Sequence, residues 1–280
     1  ATGLGQGIVS SQMLLDQMNG DDGELTAQRA AADREWTYGH IVVDEAQELT
    51  AMDWRMLIRR CPSRSFTIVG DVAQTSALAG TRRWDKTMNR LFGEGHWDLN
   101  ELTINYRNPR EVSDLASRFA QNEGLYISTV NAVRALPDSV SRHVVDDMKA
   151  LLTVTSNQAA QLANHFVSAD GTGRIAIICP DDLIKPVREA VRHRLSSLMA
   201  PSEYQRLIDQ PEWDEQISVC GTEMVKGLEF DAVIVIEPGR IEDDAPSRLV
   251  AASDLYVATT RPTQKLVIVR TKEDERSLNI

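Results

Sequence analysis

Short, unbroken apolar runs alternate along this chain with segments of helical period. The runs at 41–43, 66–69, 175–179, 232–236 and 266–269 are rich in β-branched residues, the pattern predicted for parallel strands buried on both faces. Thr50 and Asp53 approximate a capping box ahead of Trp54 and Leu57, which predicts a helix start there. Asn108-Pro109-Arg110-Glu111 supplies a cap, a first-turn proline and an acid before Val112, Leu115, Ala116 and Phe119, predicting a second helix. Val187, Ala190, Val191, Leu195 and Leu198 trace one apolar face of a third. Residues 24–35 read as a solvent-facing helix, and the glycines at 3, 5 and 7 as a flexible end. A phosphate loop at those glycines would need a preceding strand and a following Lys. The stretch 123–170 has the weakest pattern and predicts connecting elements with one or two helices. The alternation as a whole predicts an α/β fold with a mostly parallel sheet. A break near Asp98 divides it into 1–97 and 98–280.

Composition narrows the function classes. The 280 residues are 42% apolar and 25% charged, enough to bury a real core in one large domain or two ordinary ones. The 30 basic and 41 acidic residues give a net charge of −11, spread as 14 against 19 over 1–140 and 16 against 22 over 141–280. No half or tail therefore reads as a nucleic-acid clamp or a lipid-binding arm. Cys61, Cys179 and Cys220 are far apart and odd in number, so they read as reduced core residues of a cytosolic protein. No apolar run approaches 18 residues and no signal peptide opens the chain, so the expectation is cytoplasmic, away from membranes. The opening Ala1-Thr2-Gly3 lacks an initiator Met, which predicts a piece excised from a longer protein.

Five motifs carry candidate chemistry. Ile41-Val42-Val43-Asp44-Glu45-Ala46-Gln47 runs a strand directly into two carboxylates, at the edge of a parallel sheet where such folds bind ligands. In nucleoside-triphosphate hydrolases an Asp so placed holds Mg²⁺, and the next Glu can orient or deprotonate water. Phe66-Thr67-Ile68-Val69-Gly70-Asp71-Val72-Ala73-Gln74 ends in an amide able to donate to a phosphate oxygen and accept from water. Leu102-Thr103-Ile104-Asn105-Tyr106-Arg107-Asn108-Pro109 places a cation before a helix start and a flat ring beside it. In Val225-Lys226-Gly227-Leu228-Glu229-Phe230-Asp231, Gly227 permits a tight turn and Glu229 is a candidate acceptor for a ribose hydroxyl. Leu255-Tyr256-Val257-Ala258-Thr259-Thr260-Arg261-Pro262 fixes an Arg at an element end, the placement of an arginine finger. Taken singly, each of the last four also fits an ordinary turn, cap or surface residue.

In order and spacing, the series resembles motifs II to VI of superfamily 1 helicases of the UvrD/Rep type, over about residues 40–270. The wording of 36–49 and 61–65 is similar to that of the actinobacterial HelD branch, whose members use ATP to release or recycle RNA polymerase. The resemblance implies two RecA-like parallel-sheet domains that close on ATP, the first incomplete and lacking its Walker A loop. It implies Asp44 on Mg²⁺, Glu45 activating water, and Gln74, Arg107 and Arg261 on the γ-phosphate. It further implies Tyr106 on the adenine, Glu229 on the ribose beside Gly227, and Gln47 linking hydrolysis to the neighbouring motif.

Three departures qualify it. None of the 16 glycines is followed by Lys, so the phosphate-cradling loop is expected in upstream sequence, and this piece alone is expected to be inactive. Gly221 and Glu223 stand where UvrD-type helicases usually have Thr and His, and an acid there repels a phosphate backbone. Only 110–220 separates two motifs between which UvrD and Rep insert a large domain. These departures tilt the expected partner from DNA toward a protein, and the resemblance to the HelD branch implies RNA polymerase. A DNA helicase or translocase is the alternative, with nucleic-acid contact open, and a module that binds without hydrolysing remains a third reading.

Overall fold

The computed structural model describes residues 37–168, 170–210 and 215–274; the expectations for the early glycines and for 24–35 lie outside them. The chain divides into two compact units, Ala1–Ile41 with Arg55–Thr67, and Val42–Trp54 with Ile68–Ile280. In the smaller unit, Tyr38 N donates to Arg60 O at 2.7 Å and Ile41 N to Ser65 O at 3.1 Å. There the His40 ring nitrogens lie 2.8 Å from Ser65 Oγ and 3.0 Å from Thr67 Oγ1.

The first elements are β1 (Ile41–Val43), a 3-10 turn (Ala46–Glu48), α1 (Ala51–Arg60), β2 (Phe66–Ile68), a second 3-10 turn (Val72–Gln74) and α2 (Trp84–Phe92). There follow β3 (Ile104–Pro109), α3 (Arg110–Asn122), β4 (Asn131–Arg134), β5 (Val140–Val145) and α4 (Met148–Phe166). Next come β6 (Ile175–Ile178), α5 (Asp181–Leu198), α6 (Pro201–Ile208), β7 (Ile217–Cys220) and a third 3-10 turn (Thr222–Val225). β8 (Phe230–Ile236), α7 (Pro238–Asp244), α8 (Arg248–Thr260) and β9 (Pro262–Thr271) complete the order.

The fold is α/β. Its main sheet has five parallel strands in the order β5-β9-β8-β6-β7. Two smaller sheets pair β1 with β2 and β3 with β4. Strand alternation sends Ala176, Ile178, Val233, Val235, Leu266 and Ile268 to one core, with Val112, Leu115 and Phe119 of α3 and Ala252, Leu255 and Ala258 of α8. Ile175, Ile177, Ala232, Ile234, Val267 and Val269 enter the other, with Leu151 and Ala159 of α4 and Val187, Val191 and Leu195 of α5. Helices thus cover both faces, which is why β6, β8 and β9 read as unbroken apolar runs. Each fully buried Ile, Val or Leu contributes about 1.5–3 kcal/mol of transfer free energy. Ala73, from the turn after β2, is buried in the α8-side core and seats that turn on the main sheet's helical cover.

Several expectations are corrected. The stretch 123–170 contains β4 and β5 as well as α4. β5 pairs with β9 at an edge of the main sheet, and a strand with one neighbour carries polar residues that hide it in the sequence. β1 and β2 are not buried on both faces, because Val42 of β1 is exposed, Phe66 and Ile68 of β2 are only partly buried, and the two strands pair only with each other among the described residues. Asn108 is not the cap of α3. Pro109 occupies that position and Asn108 belongs to β3. Glu111 accepts from Ser139 N at 2.9 Å instead of capping its own helix. Leu198, the last residue of α5, is exposed, and the buried face begins instead at Leu183.

The start of α1 and the placement of the cysteines match the reading. Thr50 N donates to Asp53 Oδ2 at 2.8 Å while Asp53 N approaches Thr50 Oγ1 at 3.4 Å, a reciprocal capping box at α1. Cys61, Cys179 and Cys220 are free thiols, the first two buried. Cys220 packs with the α8-side core and Cys179 with the α5-side core. Burial pushes the Cys179 thiol up to about 12 and Cys220 to about 11. Among the described residues no helix is long and apolar enough to cross a membrane.

Candidate functional site

Three turns and one helix end bring most of the candidate residues together. β1 is followed directly by Asp44 and Glu45, both exposed. Glu45 sits in the left-handed region (φ 50°, ψ 35°) and opens the 46–48 turn; its N–H donates to Asp44 Oδ1 at 2.8 Å. A non-glycine residue held there is conformationally costly, by about 1–2 kcal/mol. Gln47, 1% exposed, donates from Nε2 to Glu45 Oε2 at 2.6 Å and accepts from Asp71 N at 3.2 Å. Gly70 makes room for that amide: a Cβ at this position would lie 2.3 Å from Gln47 Oε1 and 3.1 Å from Ala46 N.

Asp71 caps the 72–74 turn by accepting from Ala73 N at 3.0 Å, and its second oxygen accepts from Gln74 Nε2 at 2.9 Å. Gln74 Oε1 accepts from Arg261 Nη2 at 2.6 Å. Arg261 closes α8 and is 2% exposed. It also donates from Nη1 to Leu228 O and from Nε to Val257 O, both at 3.3 Å. An unbroken polar line thus runs Glu45–Gln47–Asp71–Gln74–Arg261. Burial raises the Asp71 carboxyl pKa, opposed by the Gln74 and Ala73 hydrogen bonds and by Arg261. Burial lowers the Arg261 guanidinium pKa, and Arg107 adds to this, while Glu45, Glu229 and Asp71 act against it.

The 226–231 turn and β3 supply the rest. Arg107, in β3 three residues before α3 begins, pairs with Glu229 at 2.5 Å, both partly exposed. Gly227 has φ +70° with no neighbour near a would-be Cβ, so backbone conformation alone requires glycine there. Tyr106 is 69% exposed. Asn108, read in the sequence as a cap, instead donates from Nδ2 to Thr260 O at 2.8 Å and Pro262 O at 2.7 Å. It thereby holds the carbonyls on both sides of Arg261.

Glu45, Gln47, Gln74 and Arg261 are joined directly; Arg107 and Glu229 join each other and act on Arg261 by charge. Asp44 contacts its own chain at Glu45 N, and Tyr106 stands apart from the hydrogen-bonded line. Sequence reasoning missed Asp71, Asn108, Glu48, Ser76 and Asp254. For Asp71 the signal was its place at the head of a Gly-Asp turn; for Asp254, its place seven residues before Arg261, on the same face of a helix.

A magnesium–nucleotide group is testable against these donors. Among the described residues no three His, Cys, Asp or Glu side chains are grouped to hold a metal ion by themselves. Mg²⁺ keeps several waters and takes one or two carboxylates with substrate phosphates, so Asp44 and Glu45 at an exposed strand end fit it. Arg107, partly exposed, fits a phosphate oxygen as it stands; Arg261, 2% exposed, would have to exchange a protein acceptor for one.

No protein-family model matches the chain. No curated protein matches it either. In total, 120 chains of solved structures match. One is the crystal structure of the C-terminal domain of a "possible DNA helicase" from Lactobacillus plantarum, with 17% identity and a TM-score of 0.41 over 62% of this chain and 96% of that one. Identity and TM-score at that level transfer no ligand or activity from that protein to this chain.

Proposed function

We propose that this chain carries one side and the closing arginine of a nucleoside-triphosphate cleft in a superfamily 1 helicase-like motor. The observation that carries the reading is the continuous line from the carboxylates after β1 through Gln47, Asp71 and Gln74 to the buried Arg261. In that cleft Asp44 would hold Mg²⁺ and Glu45 would orient water. Gln74 and Arg261 would meet the terminal phosphate, with Arg107 beside them. Tyr106 offers its exposed ring to the base and Glu229 a carboxylate to the ribose. Bound ATP with Mg²⁺ supplies the phosphoanhydride to be cleaved; the side chains bind, orient and neutralise. Gln47, hydrogen-bonded to both Glu45 and the Asp71 backbone, ties the water-orienting end to the phosphate-sensing end.

The proposal extends to the partner. Among the motor types that use these motifs, the chain is read as HelD-like, acting on RNA polymerase, in preference to a UvrD/Rep-type DNA helicase. Support comes from the net charge of −11 and from Glu223, exposed in the 222–225 turn. A strand-tracking groove is expected to be basic.

The decisive experiment uses the complete reading frame. ATP turnover that is abolished by Glu45→Gln supports the cleft; turnover indifferent to that change removes it. Recovery of RNA polymerase by the tagged protein supports the partner. Tight, salt-sensitive single-strand binding without polymerase recovery favours the DNA helicase instead.

A further inference from the structure

A second polar line lies beside the first and uses none of the residues assigned to the nucleotide. Glu48, in the turn after β1, accepts from Ser76 N at 2.9 Å and Ala77 N at 3.0 Å with its two carboxylate oxygens. Ser76 Oγ in turn donates to Asp254 Oδ1 at 2.7 Å. Lys226 Nζ lies 3.9 Å from that same oxygen. Asp254 is 8% exposed, so its charge and lone pairs depend on these partners more than on water.

The placement of Asp254 gives the contact its meaning. Asp254 lies in α8 and Arg261 closes that helix; seven residues are two turns, so both look the same way. They grip the 71–77 segment at two points: Asp254 holds Ser76, and Arg261 holds Gln74. A helix held at one point can rotate and slide; held at two, it is fixed in both register and azimuth. Next to Gln74, Ala73 is buried in the same core as Leu255 and Ala258, so the segment and the helix share an apolar seat as well.

We propose that Asp254 and Ser76 are positioning residues of the cleft. Their hydrogen bond locks α8 to the 71–77 segment and so sets where the Arg261 guanidinium points. Glu48 holds Ser76 by its backbone N–H, making the lock continuous with the turn that carries Glu45 and Gln47. Burial raises the Asp254 carboxyl pKa, with Ser76 and Lys226 opposing the rise and Glu223 and Glu48 adding to it, as expected for a carboxylate whose loss of water is only partly offset. The role rests on the nucleotide-cleft reading above; the contact itself does not.

Two measurements separate them. In the 280-residue chain, Ser76→Ala and Asp254→Ala should each raise amide exchange over 72–81 by about tenfold, and the double variant no further, because one hydrogen bond is removed either way. In the whole protein the same variants should lower kcat for ATP by about tenfold with KM within about twofold, since an arginine poised for the transition state is misplaced. Ser76→Thr, which keeps the hydroxyl, should restore most of the loss. A purely structural contact would lower the melting temperature without this split between kcat and KM. Ser76→Ala, the smaller change, decides the matter where Asp254→Ala does not fold. Unchanged exchange, or kcat losses that multiply in the double variant, overturns the lock. A wild-type protein that hydrolyses nothing sinks the nucleotide reading and the positioning role with it, while the exchange result still decides the contact.

Discussion

Arg261 is a charged side chain in a nearly closed interior, held by one amide oxygen and two backbone carbonyls. From sequence it reads as an arginine at an element end whose removal spares the fold; its burial argues otherwise. Arg261→Ala takes the donor from Gln74 Oε1 and Leu228 O, while Val257 O keeps Thr260 Oγ1 at 3.1 Å, at an expected cost of about 2 kcal/mol or more. Loss of ATP turnover in the whole protein, by about 10³-fold or more if it acts as a finger, should therefore come with a lower melting temperature. Normal turnover in a variant that melts early would assign Arg261 to structure alone. Gly70 makes a second residue-scale case. Its φ is unremarkable, and what excludes a side chain is the Gln47 amide 2.3 Å from any Cβ. Gly70→Ala must displace Gln47, so a destabilisation of about 1–3 kcal/mol is expected. A melting curve unchanged by the methyl would show that Gln47 moves freely and that the Glu45–Gln47–Asp71 line is loosely held.

At the scale of elements, what the sequence reveals depends on how many neighbours an element has. β6, β8 and β9 have partners on both edges and helices on both faces, so nearly every side chain is apolar and the run is legible. Among the described residues β5 pairs only with β9, and its Ser141, Arg142 and His143 conceal it. β3 was hidden differently. Asn105 Oδ1 accepts from Arg107 N and Asn108 N, so the strand carries side-chain hydrogen bonds of the kind usually found in caps, and Asn108-Pro109 imitates a helix start. The candidate residues were legible because short motifs fix their spacing. Their connections were not, since Asp71, Ser76 and Asp254 work through contacts as distant as 178 positions along the chain. The same distinction predicts mutational cost. Ile234, fully buried in the middle of the main sheet, should lose about 2–5 kcal/mol as Ala. Val42, 67% exposed on β1, should tolerate Thr within about 0.5 kcal/mol. Chemical denaturation of the two variants tests both; equal costs would contradict the burial assigned to the two strands.

For the molecule as a whole, the acidic excess makes stability depend on pH in a direction that can be worked out. Burial raises the carboxyl pKa values of Asp71, Asp254, Asp274 and Glu242. Glu242 reaches about 7, because after burial itself Glu123, Asp274 and Asp243 repel its charge and only Arg248 counters them. A carboxyl whose folded pKa exceeds its unfolded one binds its proton more tightly when folded. Its contribution is complete below the unfolded value and is lost as pH rises through the folded one. For Glu242 the window runs from its ordinary 4.5 up to about 7. Asp53, Asp85 and Asp170 act in the opposite sense. Hydrogen bonds from Thr50, Arg83 and Thr172 lower their pKa values, so their contribution fades only as pH falls below the ordinary 3.8. The two groups therefore place the stability maximum on the acid side of neutrality. The melting temperature should fall between pH 6 and pH 8 at constant ionic strength, and Glu242→Gln, which removes the titrating group while keeping its shape, should flatten that fall. A wild-type melting temperature that rises over this interval, or a slope unaffected by Glu242→Gln, would mean that the carboxylates around Glu123 and Arg248 are better solvated than their packing implies.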